Sequence, residues 1–301
     1  MSGMKTVVAT EKVRKKRTRF GEVMHRLSKN KGAMAGLAII AILVLIAVFA
    51  DVLFDYENQV IAMNISDRLQ GPSWEHPFGT DEKGRDMFIR ILYGSRYSLA
   101  IGAVAVLIAL AAGMVLGAVA GYYGGAIEEI IMRVTDIFAS VPYMLMAIVV
   151  ISVLGSSTLN LMIAVGVTSI PAFVRITRAS VLTVRNQEYL EAAKAIGRTN
   201  KAIILFHILP NCLSPIIVQV TLRIASAIIS ASGLSFLGLG VPKPSPEWGS
   251  LLSAGRGFIR DSGYLTLFPG LVIMITVMAF NLLGDGLRDA LDPKLKERKG
   301  G

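Results

Sequence analysis

The stretch SLAIGAVAVLIALAAGMVLGAVAG, residues 98–121, contains no charged side chain. A helix rises 1.5 Å per residue, so a run of this length crosses the ~30 Å hydrocarbon core of a bilayer, which takes ~20 residues. Within it Gly113, Gly117 and Gly121 recur every four residues and form a ridge of small side chains that lets another helix approach closely. Packing is the first expectation for that ridge, and sliding between conformations is an added role.

Working outward, five more apolar runs lie at 33–54, 134–154, 159–182, 212–232 and 265–284. Of the 301 residues 53% are hydrophobic and 17% charged, and the mean hydropathy is +0.59. A water-soluble fold of that composition would expose more apolar surface than it could cover. The expected fold class is therefore an all-α integral membrane protein with six transmembrane helices. Asp136, Arg175 and Arg223 intrude into the third, fourth and fifth runs, and Pro142 and Pro171 are expected to kink the third and fourth.

Orientation follows from Lys and Arg, which stay on the cytoplasmic side when loops are short. With the N-terminus inside, 22 of the 31 basic residues fall in the cytoplasmic tails and loops and eight in the outer ones. Both termini are then cytoplasmic. The expected division is a basic tail at 1–32, a first transmembrane helix at 33–54 and an outer loop with an amphipathic helix at 55–97. A five-helix core at 98–284 follows, holding a cytoplasmic loop at 183–211 and an outer loop at 233–264, and a C-terminal tail at 285–301 ends the chain. The net charge of +10 serves topology and anionic headgroups, with no nucleic acid partner expected. The first apolar run is longer than a signal-peptide core of ~7–15 residues and reads as a retained anchor.

Several chemistries are disfavoured by the same inspection. Cys212 is the single cysteine, and His25, His76 and His207 fall in three different loops, so no metal site is expected. An intramembrane serine protease would need a histidine inside a span, and none is there. No G-x4-G-K-[ST] loop occurs, so no cofactor is expected on this chain and any ATP and Mg belong to separate subunits. An ion-coupled carrier would be expected to hold an acid near the midplane, whereas Asp51, Asp136 and Asp285 lie near span ends. Such a carrier and a noncatalytic scaffold stay as alternatives of other classes.

Between the fourth and fifth runs stands EAAKAIG, residues 191–197, followed by HILP at 207–210. An Ala-rich helical turn stopped by Gly197 and feeding through Pro210 into the next run is a rigid knob suited to docking on a partner at the membrane surface, or else a plain loop. The outer loop 55–97 is rich in acids, among them Asp55, Glu57, Asp67, Glu75, Asp81, Glu82 and Asp86. A metal reading of the carboxylates near Gly79 and Gly84 yields to a structural one, in which Thr80 or Asp81 N-caps a helix through Met87, Phe88, Ile91 and Leu92 along the membrane edge. Arg223 sits about eleven residues into the fifth run, where a charge costs at least ~2.5–3.5 kcal/mol unless it meets water or a partner.

Glu191, Ala192, Ala193, Gly197 and His207, Leu209, Pro210, at this spacing, resemble the cytoplasmic loop shared by membrane subunits of ABC importers. Where the wider superfamily often has isoleucine this chain has His207, a form similar to the peptide-type branch. FGTDEKGRD at 78–86, LSFLGLG at 234–240 with PEWG at 246–249, and FNLLGDGLRDALDP at 280–293 narrow the likeness. Together they resemble the second, C-type permease of the dipeptide, oligopeptide and nickel importers, over residues 28–296. The resemblance implies the type I importer permease fold in a bacterial or archaeal inner membrane. Its implied partners are a homologous B-type permease, two ATP-binding subunits and an extracytoplasmic solute-binding protein. It implies a coupling helix at 187–196 with Glu191 as its charged anchor. By position, Arg223 and Gln219 in the fifth run are candidates for the translocation path, and Asp55, Glu57, Asp67 and Glu75 in the outer loop for binding-protein contacts. The implied cargo is peptide, with nickel or another small solute as the alternative. Arg223 either lines the path and attracts a peptide carboxylate or pairs with an acid of the partner permease. Relatives often lack arginine there and many carry an acid where this chain has Ala231, so the resemblance decides neither.

Overall fold

The computed structural model describes residues 19–291, so the basic residues before Arg19 and the tail after Leu291 lie outside it. No strand occurs among the described residues. A short helix α1 (Arg19–Leu27) leads into α2 (Lys31–Val48), capped by the Asn30 side chain, which accepts from the Ala33 amide at 3.1 Å. The run breaks at Phe49 and ends in one more turn, Ala50–Leu53.

Helix α3 (Met87–Tyr123) is one rod of 37 residues, about 55 Å at 1.5 Å per residue and longer than the apolar core of a bilayer. The separate amphipathic helix expected before residue 98 is instead the first turns of this rod. Its apolar side is covered by protein: Met87 and Ile91 are buried against Leu251 and Leu265. The cap also differs from expectation, because Asp86 accepts from the Ile89 amide at 3.0 Å, while Thr80 and Asp81 tie the preceding loop.

The third apolar run is not a straight crossing. Helices α4 (Gly125–Ser140) and α5 (Tyr143–Leu154) meet at an 89° bend. Val141 is extended there, as the residue before a proline tends to be, and Pro142 lacks the amide that would carry the ladder on. Helix α6 (Thr158–Val184) runs unbroken through Pro171. Glycine ridge and α6 meet as the spacing suggested: a Cβ on Gly113 would stand 2.3 Å from the Phe173 Cβ, and one on Gly117 2.6 Å from the Val174 carbonyl.

After α7 (Glu188–Ala195) the chain is helical from Asn200 to Phe236. Pro210 therefore does not begin the fifth span. Its missing amide is accommodated by a π turn, Ile204–Ile208, after which α8 (Leu209–Phe236) continues. A short helix α9 (Trp248–Gly255) packs against the first turns of α3: Trp248 is fully buried and its indole donates to the Ile91 carbonyl at 2.9 Å. Glu247, also buried, caps α9 by accepting from the Gly249 and Ser250 amides. The last helix, α10 (Tyr264–Leu291), carries residues 285–291 that were expected to open the tail, and it packs on α2 and α8. Among the described residues five helices or helical runs are long and apolar enough to cross a membrane, and the bent pair counted as one crossing makes six.

Candidate functional site

Two places gather the residues singled out by sequence. The first is the knob between α6 and α8. Leu190 and Ala193 on α7 are buried against Ile203, Ile208, Cys212 and Ile216, which roots the helix on the base of α8. Glu191 and Ala192 point the other way and are exposed. Gly197 ends the helix at φ +79°, its amide donating to the Lys194 carbonyl and that of Arg198 to the Ala193 carbonyl. This pair of bonds is a Schellman closure, which favours glycine because the left-handed backbone strains any residue with a Cβ. Nothing stands within 4 Å of a Cβ built at Gly197, so conformation and not space selects the glycine.

Behind the knob, His207 and Leu209 are half-buried and Pro210 is exposed. The His207 carbonyl accepts from the Asn211 side chain at 2.7 Å. Sequence reading missed the exposed apolar side chains on and after α7: Ile196 is 78% exposed and Phe206 71%, and Leu205 and Tyr189 are exposed too. In the sequence Leu205 and Phe206 merge with the apolar run that follows, which hid them.

The second place is a cavity of about 610 Å³ between the α4–α5 break, α6 and α8. Gln219 and Arg223 both line it, so the two residues that sequence put forward for a path are brought together. They are joined by Pro142, Pro171 and Arg175. Non-helical backbone at membrane depth is tolerated where it lines a wet cavity, which fits the break at Val141 and Pro142. The intruding charges of the third and fourth runs resolve into a pair, Arg175 donating to Asp136 at 2.8 Å. Nearer the knob Arg178 pairs with Glu128. Among the described residues no acid pairs with Arg223.

The outer acids divide by environment. Asp55 is turned back onto its own loop, accepting from the Asn58 side chain at 2.7 Å and from the Glu57 and Asn58 amides. The Asn58 side chain leads in holding its carboxyl below the usual range, with help from those amides. Asp67 is likewise occupied by Asn64 and Gln70. Glu57 and Glu75 are exposed, and near them stand exposed Met63, Ile65 and Trp74. His76 meets Asp86 at 2.8 Å, and among the described residues no three His, Cys, Asp or Glu side chains are grouped to hold a metal ion.

Comparison with known proteins falls on the same elements. Residues 113–297 match the family described as binding-protein-dependent transport system inner membrane component, and residues 18–72 match the N-terminal TM domain of oligopeptide transport permease C. The chain is 50% identical to the dipeptide transport system permease protein DppC of Alkalihalophilus pseudofirmus, over 91% of this chain and 90% of that one. It is 45% identical to the glutathione transport system permease protein GsiD of Escherichia coli, over 93% and 92%. In fold it is similar to an inward-facing structure of the MetNI methionine ABC transporter, with a TM-score of 0.56 at 17% identity, over 68% of this chain and 98% of that one. The knob, the broken third span and the six apolar segments thus sit in a multi-pass membrane protein, and the chain belongs to the family of binding-protein-dependent transport system inner membrane components.

Proposed function

We propose that this chain is one of two membrane halves of an ATP-driven importer of di- or oligopeptides, and that α7 is the lever through which ATPase subunits move it. A homologous permease completes the path, two ATP-binding subunits carry ATP and Mg, and an outer solute-binding protein delivers the peptide. The termini and α7 face the cytoplasm. The observation that carries this reading is the exposed α7 knob, rooted by Leu190 and Ala193 and closed by Gly197, with Glu191 exposed between Tyr189 and Ile196 in the chain, both also exposed. A push on a knob so rooted is transmitted to α8 through packed side chains. Peptide as cargo rests on the relatives named for dipeptide and glutathione transport.

Affinity purification of this chain from its native membrane is expected to bring down a second permease and two ATPase subunits. Glu191→Ala or Gly197→Pro is expected to abolish peptide uptake while the protein inserts normally, since proline fixes φ near −65° where the chain needs a positive value. Wild-type uptake in either variant, or peptide transport by this chain reconstituted alone, would set the lever aside and favour an ion-coupled carrier.

A further inference from the structure

We propose that Arg223 is a carboxylate-recognition residue in the cavity, selecting solutes that carry a free carboxylate. This rests on the peptide-importer reading and adds the chemical group that is read. Along α8 the residues Gln219, Arg223, Ser226 and Ser230 follow one another at i, i+4, i+7 and i+11, a single face of the helix. Gln219 and Arg223 open into the cavity, Ser226 is exposed and Ser230 half-buried, so the face forms a polar stripe leading from the outer half of α8 to the guanidinium. The other arginine of the cavity, Arg175, has its carboxylate in Asp136. Arg223 is left among the described residues with no acidic partner, and it gives the cavity its net positive charge.

A forked guanidinium binds a carboxylate by two parallel hydrogen bonds, and it binds more tightly where low-dielectric walls surround it. The cavity, about 610 Å³ and open on one side, falls in the size range of small-ligand sites. A carboxylate could come from a passing solute or from an acid of the partner permease; we take the solute as its source, because the cavity has room for a small ligand beside Gln219 and Arg223.

The test uses the whole complex in proteoliposomes, with dialanine as the probe. Arg223→Gln is expected to lower dialanine uptake about tenfold or more, the loss of one charge-assisted contact. Arg223→Lys is expected to recover only part of it, because lysine restores the charge but not the forked pair of hydrogen bonds. In both variants the partner permease and ATPases should co-purify in wild-type amounts, and binding-protein-stimulated ATP hydrolysis should persist. Unchanged uptake by Arg223→Gln overturns the inference while leaving the importer reading intact. Loss of the partner permease on Arg223→Gln overturns it in favour of a partner acid. A wild-type complex that imports no dialanine overturns the peptide reading and this inference with it.

Discussion

Asp81 organises the cap formed by the loop before α3. Its carboxylate accepts from the Lys83 amide at 2.8 Å, the Arg85 amide at 3.1 Å and the Arg85 guanidinium at 2.6 Å, all with little exposure. Arg90 stands 3.8 Å away and donates to the Val60 carbonyl, linking the cap to α3. Asp81→Asn would leave two buried guanidinium groups without their shared anion, a loss of about 3 kcal/mol. Trypsin added from the outer side should then cut at Lys83 or Arg85, where the wild type resists, and equal resistance would show the carboxylate to be dispensable. The sequence could not distinguish Asp81 from a helix cap, because Thr80, Asp81 and Asp86 all stand close before the apolar residues of α3. Backbone geometry decides between them: Gly79 and Gly84 both take positive φ, and Thr80 bridges Asp86, which turns Asp81 inward and leaves Asp86 to cap. Glu191 and Gly197 were legible for the opposite reason, since a short helix with a glycine stop depends on local chemistry alone.

At the scale of elements the seam between α3 and α6 is the tightest in the protein that the sequence announced. Gly117 faces the Val174 carbonyl and Thr177, so Gly117→Val forces backbone apart and should cost about 1–3 kcal/mol. In detergent this lowers the unfolding midpoint by roughly 5 °C, whereas Gly257→Ala, which meets nothing within 4 Å, should leave it unchanged. Equal midpoints for the two variants would mean that the seam has room to spare. Apolar runs of full length were readable because the bilayer demands them. The fate of each proline was not readable, for Pro142 and Pro171 look alike in a list of residues. Helix α6 stays continuous through Pro171 because it is held on both sides of that proline by buried residues such as Leu161, Phe173 and Val181. Pro142 has no such anchorage, for no residue between Thr135 and Ala147 is buried, and there the chain bends by 89°.

Across the whole molecule, the Asp81 cap and the α7 knob lie at opposite ends of α3. The cap precedes Met87, whereas Arg185, just before α7, donates to the Gly121 carbonyl at 3.1 Å near the far end of that helix. With 37 residues between the ends of α3, one end must lie on each side of the bilayer. Basic residues cluster in the loop that carries α7 and around the termini, so that end is expected on the cytoplasmic side. A cysteine at position 74 and one at position 201 report on the two ends, since Trp74 and Lys201 are both exposed and Cys212, which is buried, is replaceable by alanine. In intact cells a membrane-impermeant maleimide should label Trp74→Cys and spare Lys201→Cys, which should react once the membrane is opened. Labelling of position 201 from outside would invert the molecule, place α7 out of reach of any nucleotide-driven partner, and remove the mechanical basis for import.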